Sequence, residues 1–264
     1  MIVLALLLDV AEIKDVAYGD HAKQKLDLTV PKGAKDFPTV LFIHGGAWRE
    51  GDRRLYGALG RRFAEAGVGL AATSYRLSPE VKHPEHAKDV ARAFAWVHAN
   101  IAAHGGSPDR LYVMGHSAGG HLAALLALDA AYLDDLKVPR GAIKGAIPMS
   151  GVYLVTALPP DTRGILKILP DAFGSDRDVC RAASPVTHVK NAACPFLVLT
   201  ETDDNLKVRP SMMFLKAAVE RSGAKGFEFV DAEGRDHFSI IARMMGEAED
   251  PYRQRVLEFV LAQR

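Results

Sequence analysis

A serine between a strand-like and a helix-like segment stands out in this 264-residue chain. Ser117 is the central residue of Gly115-His-Ser-Ala-Gly119, which follows the apolar run Leu111–Met114 and precedes the helix-prone run 121–128. The glycines allow a turn sharp enough to push the hydroxyl out of a sheet, and the first N–H groups of the helix then lie beside it. The pattern predicts a nucleophile for acyl transfer, with a serine that merely caps the helix as the alternative.

A serine nucleophile needs a general base, and the base needs a third group that holds its tautomer. The chain contains ten histidines, of which His237 follows the last strand-like segment in a loop that can reach the central strands. We therefore predict His237 as the base. The acid is expected after the strand-like run that ends at Thr200, where three carboxylates follow in Glu201-Thr-Asp203-Asp204. We predict Asp203, with Asp204 as the main competitor and Glu201 as a third option.

A glycine-rich segment after an earlier strand can stabilise the charge that acyl transfer creates. His44-Gly-Gly-Ala-Trp48 follows the apolar run Thr39–Ile43. Glycines let the backbone approach a substrate, and each preorganised N–H donor to an oxyanion contributes roughly 3–4 kcal/mol. The predicted oxyanion hole consists of the N–H groups of Gly46, Ala47 and Ala118.

Two residues beside these motifs are candidates for the substrate pocket, Trp48 and His116. Trp48 has a second interpretation, as a side chain that packs beneath its loop. His116 precedes the serine in the tight turn, where neighbouring side chains point away from the nucleophile, so a structural role is its alternative.

Eight segments have the apolar, β-prone character of strands, and from the third onward they alternate with helices. Such alternation predicts parallel pairing through right-handed crossovers, with functional groups at the carboxyl ends of the strands. The expected organisation is one α/β domain over residues 1–264, in which a small lid would lie within 151–190. The segments are Ile13–Tyr18, Lys25–Val30, Thr39–Ile43, Val68–Tyr75, the run from Leu111, Ile143–Met149, Pro195–Thr200 and Phe227–Asp231.

Composition narrows the range of partners. The net charge of +1 gives no electrostatic reason to expect nucleic acid, and the two cysteines have no metal-ligand spacing. The apolar residues 1–8 are too few to span a membrane and lack the basic flank of a signal peptide. We expect a cytoplasmic monomer or homodimer without a metal, and a truncated signal sequence at 1–8 is the alternative.

These motifs resemble the kynurenine formamidase-like and carboxylesterase group of the α/β-hydrolases. The resemblance extends over about residues 13–262 and includes further matches at Tyr18-Gly19, Leu26-Asp27, Arg49–Asp52 and Ser74–Leu77, with Pro84 and Asp89. It implies an α/β-hydrolase fold with an eight-stranded, mostly parallel sheet flanked by helices. It also implies the triad Ser117–Asp203–His237 and no cofactor.

The chain departs from related enzymes in three places. Ala47 replaces a third glycine, Thr200 occupies the position where the acid loop often has glycine, and the segment before the third strand reads as strands. A large N-terminal helical cap is therefore not expected. The implied function is a serine carboxylesterase that hydrolyses small-to-medium acyl esters through an acyl-enzyme. Arylformamidase activity on N-formylkynurenine is the alternative, and a non-catalytic binding module is a remote one.

Overall fold

The computed structural model describes residues 8–156, 168–203, 206 and 208–262. Its centre is an eight-stranded sheet with the strand order β1-β2-β4-β3-β5-β6-β7-β8. The strands are β1 (Val10–Ala17), β2 (Lys25–Pro31), β3 (Phe37–Ile43), β4 (Gly69–Thr73), β5 (Gly106–His116), β6 (Ile143–Met149), β7 (Phe196–Asp203) and β8 (Phe227–Asp236).

The sheet is antiparallel at one edge and parallel through its centre. The β1/β2 and β2/β4 pairs are antiparallel, whereas β4, β3, β5, β6, β7 and β8 pair in parallel. The carboxyl ends of the parallel strands consequently meet along one rim of the sheet, where ligand sites of open α/β sheets are found.

Helices cover both faces of the sheet. Alternate residues of β3 enter different cores, since Leu41 and Ile43 pack with one cluster of buried side chains and Val40 and Phe42 with the other. The first core also takes residues of α2, α3 and α7, and the second takes residues of α1, α8 and α9. The helices are α1 (Gly57–Glu65), α2 (Glu85–Asn100), α3 (Ala118–Leu128), α4 (Ala131–Asp134), α5 (Ile168–Phe173), α6 (Arg177–Ala182), α7 (Arg209–Ser222), α8 (Ser239–Gly246) and α9 (Pro251–Ala262).

Helix α3 has no polar face, and His121 is its single polar side chain. Apart from Ala127, every residue of this helix is buried. A helix without a polar face must be enclosed by protein, and α3 contacts β5 and β6 of the sheet as well as α2. The serine at its start is thus anchored to the interior of the molecule.

The eight predicted strands are all present, and the main differences are in their ends. The strand predicted over 143–149 has these bounds in the structure, whereas β7 continues to Asp203 and β8 to Asp236. Within the segment where a lid was expected, α5 and α6 are short helices, and residues 157–167 lie outside the described part. None of the helices in the described residues has the length and apolarity needed to cross a membrane.

Candidate active site

Ser117 occupies a sharp turn between β5 and α3. Its backbone has φ 57° and ψ −118°, a conformation that non-glycine residues rarely adopt. The turn is held by the Ser117 N–H group, which donates to the carbonyl of Met149 at 2.9 Å. The side chain makes no capping hydrogen bond to the helix. The helix-capping alternative is therefore wrong, and the hydroxyl is left for another role.

The glycines around Ser117 are required by close backbone contacts. A β-carbon at Gly119 would lie 2.0 Å from the carbonyl oxygen of Ile43, and one at Gly115 would lie 2.2 Å from that of Gly119. Both distances are far below van der Waals contact. The turn can form in this position only because neither residue carries a side chain.

The loop after β3 lies directly against this turn. A β-carbon at Gly45 would be 3.2 Å from Cβ of Ser117. The loop then bends through three successive positive φ values, 113° at Gly46, 53° at Ala47 and 57° at Trp48. The carbonyl of Gly46 accepts the N–H groups three and four residues later, at Arg49 and Glu50, so the bend is closed by hydrogen bonds of 3.0 and 2.9 Å.

This bend leaves backbone donors beside the serine. Within the described residues, no acceptor is bonded to the N–H groups of Gly46 and Ala47 or to that of Ala118, the first residue of α3. The three donors were predicted from sequence as the oxyanion hole. Their assignment stays a prediction, and the geometry is compatible with it.

His44 anchors the start of the same loop. Its ring stacks on Tyr75 with 4.5 Å between the ring centroids, and the Tyr75 hydroxyl donates to the His44 carbonyl at 3.1 Å. Burial lowers the pKa of His44 to about 4, so its ring is neutral at neutral pH. The proton is on Nδ1, since this atom lies 2.6 Å from the carbonyl oxygen of Gly45, which can only accept.

His237 lies beside the turn, immediately after β8. Its ring is 4.8 Å from the ring of His116, whose Nε2 is 2.7 Å from the His237 carbonyl oxygen. The Nδ1 of His237 is 2.9 Å from Oε1 of Glu201. A carboxylate can only accept, so Nδ1 carries the proton, and Nε2 is left with a lone pair that can take a proton.

The carboxylate that contacts His237 is Glu201, and the prediction of Asp203 is wrong on this point. Glu201 is fully buried, whereas Asp203 is exposed. The register between β7 and β8 shifts between these two residues, and such a bulge redirects the side chains that follow it. Asp204, the main competitor in the sequence, lies outside the described residues.

Ser150 binds the other oxygen of the same carboxylate. Its hydroxyl donates to Oε2 of Glu201 through a short hydrogen bond, and its N–H group donates to Leu199 at 2.9 Å. Burial alone would raise the pKa of Glu201, but the hydrogen bonds from His237 and Ser150 outweigh it and lower the pKa. Glu201 is therefore ionised at neutral pH, as a partner of a protonated histidine must be.

The sequence contained a partial signal for Glu201 and none for Ser150. A carboxylate directly after the apolar run 196–200 is buried if the strand continues, and β7 continues to Asp203. The hydroxyl of Ser150 meets Glu201 across 51 residues of sequence, a pairing without local pattern.

The two pocket candidates have different surroundings. Trp48 is 2% exposed and packs edge-on against His121 and Phe173, at 5.3 and 4.9 Å between ring centroids. It also lines a cavity of about 300 Å³, so its two interpretations are compatible. His116 is buried, does not line this cavity and braces the His237 loop instead. The described residues contain no group of side chains that could hold a metal ion.

Comparison with known proteins identifies the family. The BD-FAE family model matches residues 26–217, which is most of the chain. The chain belongs to the BD-FAE family. Solved structures support the fold: a truncated carbohydrate esterase from gut microbiota has a TM-score of 0.80 at 20% identity over 98% of this chain and 97% of its own. Esterase B from Lactobacillus rhamnosis has a TM-score of 0.79 at 21% identity, over 97% and 86%. The BD-FAE chain thus has the α/β-hydrolase fold.

Relatives of this BD-FAE chain carry esterase names. Esterase LipQ of Mycobacterium tuberculosis is 32% identical over 90% of this chain and 61% of its own length. Isoprenylcysteine alpha-carbonyl methylesterase ICME of Arabidopsis thaliana is 36% identical over 91% and 58%. The chain spans about half to three fifths of the length of the curated relatives it matches.

Proposed function

We propose that this chain is a serine hydrolase that cleaves carboxylic esters with small-to-medium acyl groups. The observation that supports this most directly is the buried pair of His237 and Glu201 beside the strained turn that presents Ser117. Nδ1 of His237 and Oε1 of Glu201 are 2.9 Å apart. The esterase names of relatives support the same reaction class.

The proposed mechanism uses an acyl-enzyme. Nε2 of His237 takes the proton of the Ser117 hydroxyl while its oxygen attacks the ester carbonyl carbon, and Glu201 stabilises the resulting imidazolium. The N–H groups of Gly46, Ala47 and Ala118 bind the oxyanion. His237 then protonates the leaving alcohol. In deacylation His237 takes a proton from the water that attacks the acyl carbon, and it returns this proton to Oγ of Ser117 as the acyl–serine bond breaks and the acid is released.

Ser117→Ala tests the proposal directly. We expect hydrolysis of p-nitrophenyl acetate to fall by at least about 10³-fold, and labelling by a fluorophosphonate probe to disappear. Ser175→Ala is the matched control, because Ser175 is an exposed serine that takes no part in the proposed reaction. Wild-type rates in Ser117→Ala would contradict the mechanism, and a wild-type chain without probe adduct would instead favour a binding module.

The same residues could hydrolyse a formamide, so the substrate must be tested as well. We infer preference for esters because relatives are named esterases. A side-by-side comparison of kcat/KM on p-nitrophenyl butanoate and N-formylkynurenine tests this, and a higher value for the formamide would reverse the inference. A monomer or homodimer and a cytoplasmic location stay predictions, which size-exclusion chromatography and cell fractionation test.

A further inference from the structure

An apolar cavity of about 300 Å³ lies beside the loop that follows β3 and carries Gly46, Ala47 and Trp48. Its described walls come from four segments: the loop after β3, the segment after β6, helix α5 and the start of α7. No charged side chain is among the described residues that line it. The apolar walls include Trp48, Val152, Leu154, Leu169, Pro210 and Phe214.

Two of these segments also touch the serine turn. The loop that carries Trp48 contacts Ser117 through Gly45, where an added β-carbon would be 3.2 Å from Cβ of Ser117. The segment that carries Val152 follows Met149, the last residue of β6, whose carbonyl accepts the Ser117 N–H group at 2.9 Å. The chain therefore passes from contact with the nucleophile to the cavity wall within a few residues on both sides.

The position of the base indicates which half of an ester the cavity takes. The leaving alcohol must receive its proton from His237, so this half lies towards the His237 loop. No residue of Asp236–Ser239 is among the described residues that line the cavity. Trp48, which lines the cavity, directly follows Ala47, one of the proposed donors to the carbonyl oxygen of the acyl half.

We propose that this cavity is the acyl-binding pocket and takes an uncharged aliphatic chain, with Phe214 as one of its specificity-determining walls. This rests on the function proposed above. A volume of about 300 Å³ is at the lower end for ligand pockets, which favours a small or medium acyl group. Burial of each methylene group raises kcat/KM roughly fourfold, which makes hexanoate a better substrate than acetate.

Substitution of Phe214 tests the pocket without disturbing the buried core. Its side chain is 51% exposed, and its neighbour Met213 on α7 is 61% exposed but does not line the cavity. Phe214→Ala and Met213→Ala are therefore a matched pair. We expect the ratio of kcat/KM for p-nitrophenyl hexanoate to that for acetate to fall about fivefold in Phe214→Ala and to remain within twofold in Met213→Ala.

The outcome separates the pocket from the reaction. An unchanged ratio in Phe214→Ala, or an equal change in Met213→Ala, overturns the pocket proposal while acetate hydrolysis and probe labelling still support the reaction. A rise of this ratio in Phe214→Ala alone would also support the pocket, because it would mean that the Phe214 ring limits the length of the acyl chain. If Phe214→Ala changes kcat/KM across alkyl acetates of increasing alcohol length but not across esters of increasing acyl length, the cavity holds the alcohol and the proposal is wrong. If the wild-type protein does not react with the fluorophosphonate probe, the proposed serine hydrolase reaction is itself wrong.

Discussion

Replacement of Glu201 by glutamine tests which carboxylate supports the base. The structure places Oε1 of Glu201 2.9 Å from Nδ1 of His237, in a fully buried position. At about 4 Å between charge centres and an effective dielectric constant near 20, the carboxylate stabilises an imidazolium by about 4 kcal/mol. Loss of this energy in the transition state corresponds to about 10³-fold in rate. The amide can also favour the wrong tautomer, so we expect a loss of 10³- to 10⁴-fold in kcat/KM.

Asp203→Asn is the matched substitution for this test. Asp203 is two residues away and exposed, so we expect its amide variant to retain kcat/KM within about threefold. The assay is hydrolysis of p-nitrophenyl butanoate by variants whose circular dichroism and melting temperature match those of wild type. A loss of 10³-fold in Asp203→Asn, together with near-normal rates in Glu201→Gln, would refute the assignment of Glu201.

Three further predictions concern the support of the site and the stability of the fold. Ser150→Ala removes a hydrogen bond that lowers the pKa of Glu201, so this pKa rises. We expect kcat on p-nitrophenyl butanoate to fall about tenfold. Gly119→Ala places a β-carbon 2.0 Å from a carbonyl oxygen, and we expect the melting temperature to fall by at least about 10 °C, while Gly141→Ala, with open space around it, leaves it unchanged. Burial lowers the pKa of four buried histidines to about 3 or 4, so below pH 6.5 the unfolded chain binds more protons than the native one, and stability falls as the pH falls. Each of these histidines lowers the free energy of unfolding by on the order of 2 kcal/mol at pH 5. Urea unfolding at pH 7 and pH 5 measures the summed loss, and an unfolding midpoint that does not change with pH would contradict it. The four are His44, His86, His116 and His121.

The fold, and the turn and loop that lie beside each other around Ser117, could be predicted because their signals are local. The alternation of apolar strands and helices is visible within short windows, and it predicted all eight strands. The glycine motifs are also visible within short windows, and the structure shows their use: Gly46 adopts a positive φ, and Gly119 leaves room for the carbonyl of Ile43. The residue types needed for nucleophile and base therefore appeared at the ends of the expected strands.

The carboxylate that contacts His237 could not be predicted because its position depends on strand pairing. Three carboxylates lie within four residues, and their spacing alone does not tell which one is buried. The decision comes from the extension of β7 and its shifted register with β8, which leaves Glu201 inside and Asp203 outside. Ser150 was missed for the same reason, since its partner belongs to a different strand.

The enclosure of α3 has a consequence for motion. A helix buried on nearly all sides exchanges its amide hydrogens only when the whole domain opens, so α3 belongs to the most slowly exchanging part of the molecule. Ser117 is joined to that helix, whereas Phe214 is on the half-exposed surface of α7. The hydroxyl oxygen of Ser117 would therefore keep its position while the walls of the acyl pocket fluctuate. The protein would then accept acyl groups of different length without moving its nucleophile.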